Sequence, residues 1–502
     1  MRPRIFNYYL IRGRYHCSHK RNYGSHLGTA EKISLTLSTK VPKPTVINEL
    51  NKHFASSPKS FENIQDVEDS GYGAAIFASR DFATWLEDES FVSGVLESLF
   101  KEKTTGQDNS VPINVLCAAT DGLTPKRLFS EPRTGLSILY GSADGILPGL
   151  WSADDAESNI SQDRGSSVSF LSNPLPRDTR PLEITLPLAN TIFQNGRRST
   201  LFASRWQRDR GGSIIRTMIH EKQSQRICLR AASGDHINSL LPLLPLTPPR
   251  KIVAGLGNIV RQVEVNGTAT PASKELEVII PKVFDKRSEQ DTSYSPGPIG
   301  VWCWVIPPDV VEKRNLLDLK VFGSGSSQSE AELSLEVMNV FSELLSSGCR
   351  LHKILSGGGG WGLKQGLLSL DPETSYSLPD QEDIEMFIRA FQERNNPNSS
   401  EGLVTPGSYL MFCIEPHWTK NEIGLSREIS PTTAIGVVQN SDTEPDSAGL
   451  PDQVDVIDGH FGVVSKTGLF LKATNLAHVS QATEQPQPFT TKVDLPRASF
   501  IL

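Results

Sequence analysis

Glycine and proline punctuate this chain too densely for any long regular element. Its 502 residues include 39 glycines and 33 prolines, about one residue in seven. Proline removes a backbone donor and fixes φ, while glycine costs conformational entropy inside helices and strands. Short elements joined by many turns follow, and a long helical bundle or coiled coil is excluded. With 37% hydrophobic and 21% charged residues, the chain reads as globular and soluble. It is also too long for one small core, so two domains are expected.

Strand-sized apolar runs recur between the turns. Ala74–Ala78, "VPINVLCAAT", "GLSILYGS", "SSVSFLS" and "LEITLPL" occupy the first half, with a helical pattern from Phe82 through Trp85, Phe91 and Val95 to Leu99. Trp85 belongs to the core of that helix. "NTIFQNGRRSTLFAS" places Asn195–Gly196 between β-prone flanks, the preferred pair for a tight hairpin. "GGSIIRTMIHEKQ" and "RICLRAA" extend the strand-rich region.

The proline-rich stretch near 241–250 cannot continue a helix and is read as a linker. Beyond it come "LEVIIPKVF" and "GVWCWVIPP" as strands, then a helix from Ser329 to Gly348 with Leu333, Val337, Phe341 and Leu344 on one stripe. "SYLMFCIEP", "TAIGVVQ" and "HFGVVSKTGLFLK" read as further strands, interrupted by an acidic mobile loop near 439–452. The fold class expected is α/β or α+β: two mixed strand-rich domains, 27–240 and 251–502, with glycine-rich connecting loops. No run reaches the roughly eighteen apolar residues that a membrane-spanning helix needs.

The first 26 residues carry Arg2, Arg4, Arg12, Arg14, Lys20 and Arg21, and no acid appears before Glu31. Ile5, Phe6, Tyr9 and Leu10 share one helical face. An arginine-rich, acid-free, amphipathic start is the pattern of a mitochondrial targeting peptide, and a matrix location is expected. Its removal leaves a body more acidic than the −7 of the whole chain, which argues against broad nucleic-acid binding. Arg197, Arg198, Arg205, Arg208 and Arg210 nevertheless form one local basic cluster that would suit RNA.

Six cysteines are present and none lies within four residues of another, so zinc or iron–sulfur spacing is absent. Most sit in apolar runs and read as buried, reduced thiols of a reducing compartment. No metal or cofactor is named by the sequence. His220–Glu221, Asp235–His236 and Asp458–His460 are neighbours that would suit acid–base work, although surface or turn histidines explain each. Serine-hydrolase, zinc-protease and Cys–His signatures are missing.

"RLHKILSGGGGWGLKQGLLSLD", residues 350–371, is the segment with most chemical content. Gly357 and Gly362 have Walker spacing, but Leu363 stands in the lysine position and Lys364 where the hydroxyl belongs. Gly357, Gly359 and Gly362 match a dinucleotide fingerprint almost automatically, with a following helix confined to Lys364–Leu370. A looser expectation survives. Gly357, Gly358, Gly359, Gly360 and Gly362 form an anion-binding nest, with Trp361 as an apolar wall and Lys364 as added charge. "VAGLGNIVRQ" offers a second strand–glycine–helix turn at Gly255, Gly257, Asn258 and Arg261, with Val260 in place of a third glycine.

The two-halved plan, with "NVLCAATDG" and "GLSILYGSADGILPGLW" in the first half, is loosely similar to FIST-type sensory domains. That resemblance implies a small-ligand binder and transfers no functional residue. The leading expectation is a mitochondrial small-ligand-binding or accessory factor in organelle biogenesis, with a small anionic ligand or a mitochondrial protein as partner. The rivals are an enzyme acting on a phosphorylated or anionic metabolite through the 357–364 loop, and an RNA-associated mitochondrial factor.

Overall fold

Strands Tyr72–Ser79 and Ile113–Thr120 are apolar along almost their whole length, as a strand covered on both faces must be. They pair in parallel from Tyr72↔Ile113 to Ser79↔Thr120. The crossover between them carries helices Ala83–Glu87 and Glu89–Phe100. The computed structural model describes residues 30–56, 71–100, 111–125, 130–152, 165–172, 182–229, 238–291, 294–323, 328–357, 366–376, 403–418, 433–438, 454–474 and 488–502. The targeting-type segment 1–26 and the acidic loop near 439–452 lie outside them.

Seven strands make the central sheet, in the order Asp455–Asp458, Glu31–Thr36, Gly135–Ser142, Tyr72–Ser79, Ile113–Thr120, Leu201–Arg208, Ile214–Glu221. Alternation sorts its side chains. Ala74, Ile76, Val115, Cys117 and Ile138 face a core built with Val46 and Leu50 of helix Lys43–Ser56 and with Phe91, Val95 and Leu99. Ala75, Phe77, Leu116 and Leu139 enter the other core with Phe170, Ile184 and Phe461. There the Phe77 and Phe461 rings meet edge to face at 5.3 Å.

Six strands close a barrel: Arg250–Leu256, Ile259–Val265, Leu368–Leu370, Arg350–Gly357, Val301–Ile306 and Tyr409–Ile414. Closure comes from Tyr409–Ile414, which pairs with both Val301–Ile306 and Arg250–Leu256 and so removes two sheet edges. Helix Glu330–Ser346 stacks Phe341 on Trp304 at 5.9 Å. A four-stranded sheet (Asn238–Leu240, Ser499–Ile501, Thr433–Val437, Phe461–Ser465) and a five-stranded one (Pro488–Val493, Leu469–Thr474, Leu182–Pro187, Ser167–Ser172, Ser224–Leu229) complete the strand-rich, mixed architecture. In the proline-rich stretch Leu241, Leu243 and Leu244 are fully buried, and one apolar cluster runs through them from Phe77 to Trp302.

Three local expectations are corrected. "LEVIIPKVF" lies inside helix Lys274–Gln290 and not in a strand. Its β-branched residues suggest a strand, but Leu276, Val283 and Arg287 are buried at helical spacing, so packing overrides propensity. Asn195–Gly196 does not turn a two-residue hairpin. Ile192–Asn195 is a helical turn that Gly196 ends at φ 75°, inside a longer loop closed by the Asn190↔Ser199 bridge. "VAGLGNIVRQ" is a β-hairpin and not a strand–helix turn, with Gly257 at φ 62° between Leu256 and Ile259.

Candidate functional site

The glycine segment begins at the barrel wall. Gly357 closes strand Arg350–Gly357 and pairs with Leu368, where an added Cβ would lie 2.4 Å from Leu368 Cδ2. Gly358, Gly359, Gly360, Trp361, Gly362 and Lys364 lie outside the described residues. Their surroundings still bear on the chemistry. Leu368–Leu370 is a strand paired with both Ile259–Val265 and Arg350–Gly357. The segment therefore joins two antiparallel strands, and no helix reaches Leu370 as a dinucleotide fingerprint would require.

A second place is built at the carboxyl ends of the two parallel strands, the position where open α/β sheets gather ligand-binding loops. Tyr72–Ser79 ends at Ser79 and Arg80; Ile113–Thr120 ends at Thr120, Asp121 and Gly122. The turn is fixed tightly. Thr120 Oγ1 donates to the Gly122 carbonyl at 3.1 Å, and Gly122 bridges to Val464. That bridge draws the start of the 466–468 turn alongside, so the Lys466 N–H donates to Asp121 Oδ2 at 2.8 Å.

Burial pushes the Asp121 carboxyl above its ordinary range, and it outweighs the Lys466 N–H and the positive charges of Lys466 and Arg80, which pull the other way. Arg80 and Lys466 remain partly exposed, and neither closes an ion pair among the described residues. Two cations without an ion pair among the described residues thus stand near a carboxyl that holds its proton more readily than usual. Such a group of side chains accepts an anion and, when Asp121 is protonated, offers it one further donor.

Behind it lies a buried polar chain. Ser34 Oγ meets Ser137 Oγ at 2.8 Å, His460 Nδ1 lies 3.0 Å from Ser34 Oγ, and Gly462 N–H donates to Ser137 Oγ at 2.9 Å. His460 Nε2 and Thr124 Oγ1 are 3.5 Å apart, at the limit of a hydrogen bond. The chain binds strand Phe461–Ser465 to the central sheet through Ser34 and Ser137. Arg80 and Asp121 belong to no sequence motif, although both follow long apolar runs and Asp121 precedes a glycine. A charged residue at such a strand end is the signal that was there to find.

The other sequence candidates are dispersed. Asp458 lies 3.7 Å from His53 and pairs in the sheet with Ile33, away from the ring contacts of His460. Glu221 bonds Arg197 rather than its neighbour His220, and Asp235 and His236 lie outside the described residues. Three of the five clustered arginines are engaged internally. Arg197 also pairs with Glu87 at 2.8 Å, Arg205 lies over the Trp151 ring at 4.9 Å, and Arg208 donates to the Gly212 carbonyl. Cys117, Cys303, Cys349 and Cys413 are buried, and burial pushes the Cys117 and Cys349 thiols up to about 12, far from the reactive thiolate range. Among the described residues no three His, Cys, Asp or Glu side chains are grouped to hold a metal ion, and no helix is long and apolar enough to cross a membrane. No family model, curated protein or solved structure matches this chain, so the likeness to FIST-type domains rests on the two segments that suggested it.

Proposed function

We propose that this chain is a mitochondrial binder of a small anionic ligand, acting as an accessory factor in organelle biogenesis rather than through a standard catalytic centre. The observation that carries the binding half is the pair Arg80 and Lys466, two cations without ion-pair partners among the described residues, beside Asp121 where the parallel strands end. The arginine-rich, acid-free amino terminus supports the location. Titration calorimetry with phosphorylated metabolites and dicarboxylates tests the binding. A shared ligand should lose about tenfold or more in affinity in the Arg80→Ala, Lys466→Ala double variant, the scale of one charge-assisted hydrogen bond. Unchanged affinity there, with loss in Lys364→Ala and Gly359→Val, moves the site to the 357–364 glycine segment and revives the metabolite-enzyme reading. A reporter fused to residues 1–40 that stays in the cytosol removes the mitochondrial half.

A further inference from the structure

We infer that the barrel holds a second ligand site, independent of the Arg80–Lys466 group, in which Arg350 and His352 together take a small oxyanion that also carries one hydrogen-bond donor. The register sets the two side chains on one face of strand Arg350–Gly357. Val305↔Arg350 and Cys303↔His352 are direct cross-strand partners, and on the other flank Val305↔Leu410 and Cys303↔Phe412 are as well. That face is otherwise apolar.

His352 is 2% exposed. Its Nδ1 lies 2.9 Å from the Asp371 carbonyl, which only accepts, so Nδ1 carries the proton and Nε2 is left as an acceptor. Nε2 is buried and meets no donor among the described residues. Burial lowers the affinity of the ring for a second proton, with Arg350 acting in the same sense and Asp371 and Asp494 against it. The ring is a neutral acceptor. Arg350 is half-buried, burial lowers its pKa, and it makes no hydrogen bond or ion pair among the described residues.

The nearby carboxylates are already engaged. Asp371 takes Lys492 at 3.0 Å and the Glu373 N–H, and Asp494 takes Trp302 Nε1 at 2.8 Å. A buried acceptor and a half-buried guanidinium, each without a partner among the described residues and two residues apart on one face, are costly unless something supplies both an anion and a donor. A ligand with an oxyanion for Arg350 and a hydroxyl for His352 Nε2 meets both needs, with the partly exposed Arg350 on the outer side.

The probes are glycolate, which has the hydroxyl, acetate, which lacks it, and inorganic phosphate, whose monoanion carries its own hydroxyls. Each is titrated into the full chain and followed by NMR and calorimetry. Glycolate and phosphate at pH 6 should bind about tenfold more tightly than acetate. His352→Asn keeps an amide donor for the Asp371 carbonyl but is too short to place its own acceptor oxygen where Nε2 lies, and should erase the advantage of glycolate over acetate. Arg350→Leu should abolish binding while leaving the unliganded protein as stable as the parent or more so, because it removes a cation without a partner. The Arg80→Ala, Lys466→Ala variant should retain this site, which separates its failure from failure of the other. No binding of any probe up to about 10 mM, equal affinities for glycolate and acetate, or destabilisation of the unliganded protein by Arg350→Leu would each overturn the assignment.

Discussion

A single buried carboxylate shows how much of this molecule rests on individual residues. Glu330 accepts from Arg287 through both oxygens, at 3.0 and 2.7 Å, and from the His417 N–H at 2.8 Å, and both charged side chains are nearly sealed from water. Removing one member of such a pair strands the other charge, so Glu330→Ala should cost about 3–5 kcal/mol in urea denaturation. Asp121 gives the opposite sign. Its folded pKa lies above the unfolded value of about 3.9, so the folded state binds the proton more tightly. Its contribution to stability is full below the unfolded pKa and is lost as pH rises through the folded one. Asp121→Asn, which keeps an acceptor for the Lys466 N–H, should therefore gain in Tm over the parent between pH 4 and pH 7. A variant less stable than the parent at pH 7 would mean that Arg80 and Lys466 hold the carboxylate by net attraction. At this scale the sequence was partly legible. Buried cysteines announce themselves by apolar neighbours, whereas Arg80 and Asp121 acquire meaning only when two strands distant in sequence end side by side, Ser79 against Thr120.

Among elements, the helix Glu330–Ser346 was readable because every local signal agrees. Ser329 Oγ accepts the Glu332 N–H at 3.2 Å, and the Glu332 carboxylate accepts the Ser329 N–H at 3.1 Å. Ser329→Ala should cost about 1 kcal/mol, seen as a lower urea midpoint at unchanged slope. Helix Lys274–Gln290 was not readable for the converse reason. Its Val278, Ile279, Ile280 and Val283 have strand propensity and Pro281 forbids one backbone bond, so only the packing of Leu276, Val283 and Arg287 decides the outcome. The Asn195–Gly196 pair misleads in a subtler way. Gly196 does take a positive φ, but as the residue that ends a helical turn, and the longer loop lets Asn195 Nδ2 reach Thr200 Oγ1 at 2.8 Å and Glu87 Oε1 at 3.1 Å. An added Cβ at Gly196 meets nothing within 4 Å, so Gly196→Ala should lose only the left-handed strain of about 1 kcal/mol. A much larger loss in thermal denaturation would reveal a clash that this geometry lacks.

At the scale of the whole molecule the strands were legible and their partners were not, because pairing between distant segments leaves no local trace. Glu31–Thr36 joins Asp455–Asp458, and Leu182–Pro187 joins Leu469–Thr474. Phe461 completes the core of Phe77 and Phe170. The last fifty residues thus supply strands to three sheets, two of which draw all their other members from the first half of the chain. Residues 27–240 expressed alone would leave Leu186, Phe170 and Phe77 facing water where Leu471 and Phe461 should lie, a loss of about 1.5–3 kcal/mol for each large apolar side chain uncovered. Three such losses come to about 5–9 kcal/mol, comparable with the whole 5–15 kcal/mol that holds an ordinary domain folded. This fragment should therefore lack a cooperative thermal transition and the dispersed amide spectrum of a folded protein. Co-expression with residues 241–502 should restore both, because association rebuilds the same sheets without the covalent link. A cooperative transition in 27–240 alone would show instead that the early strands close a core by themselves and that the carboxyl-terminal strands only cover it.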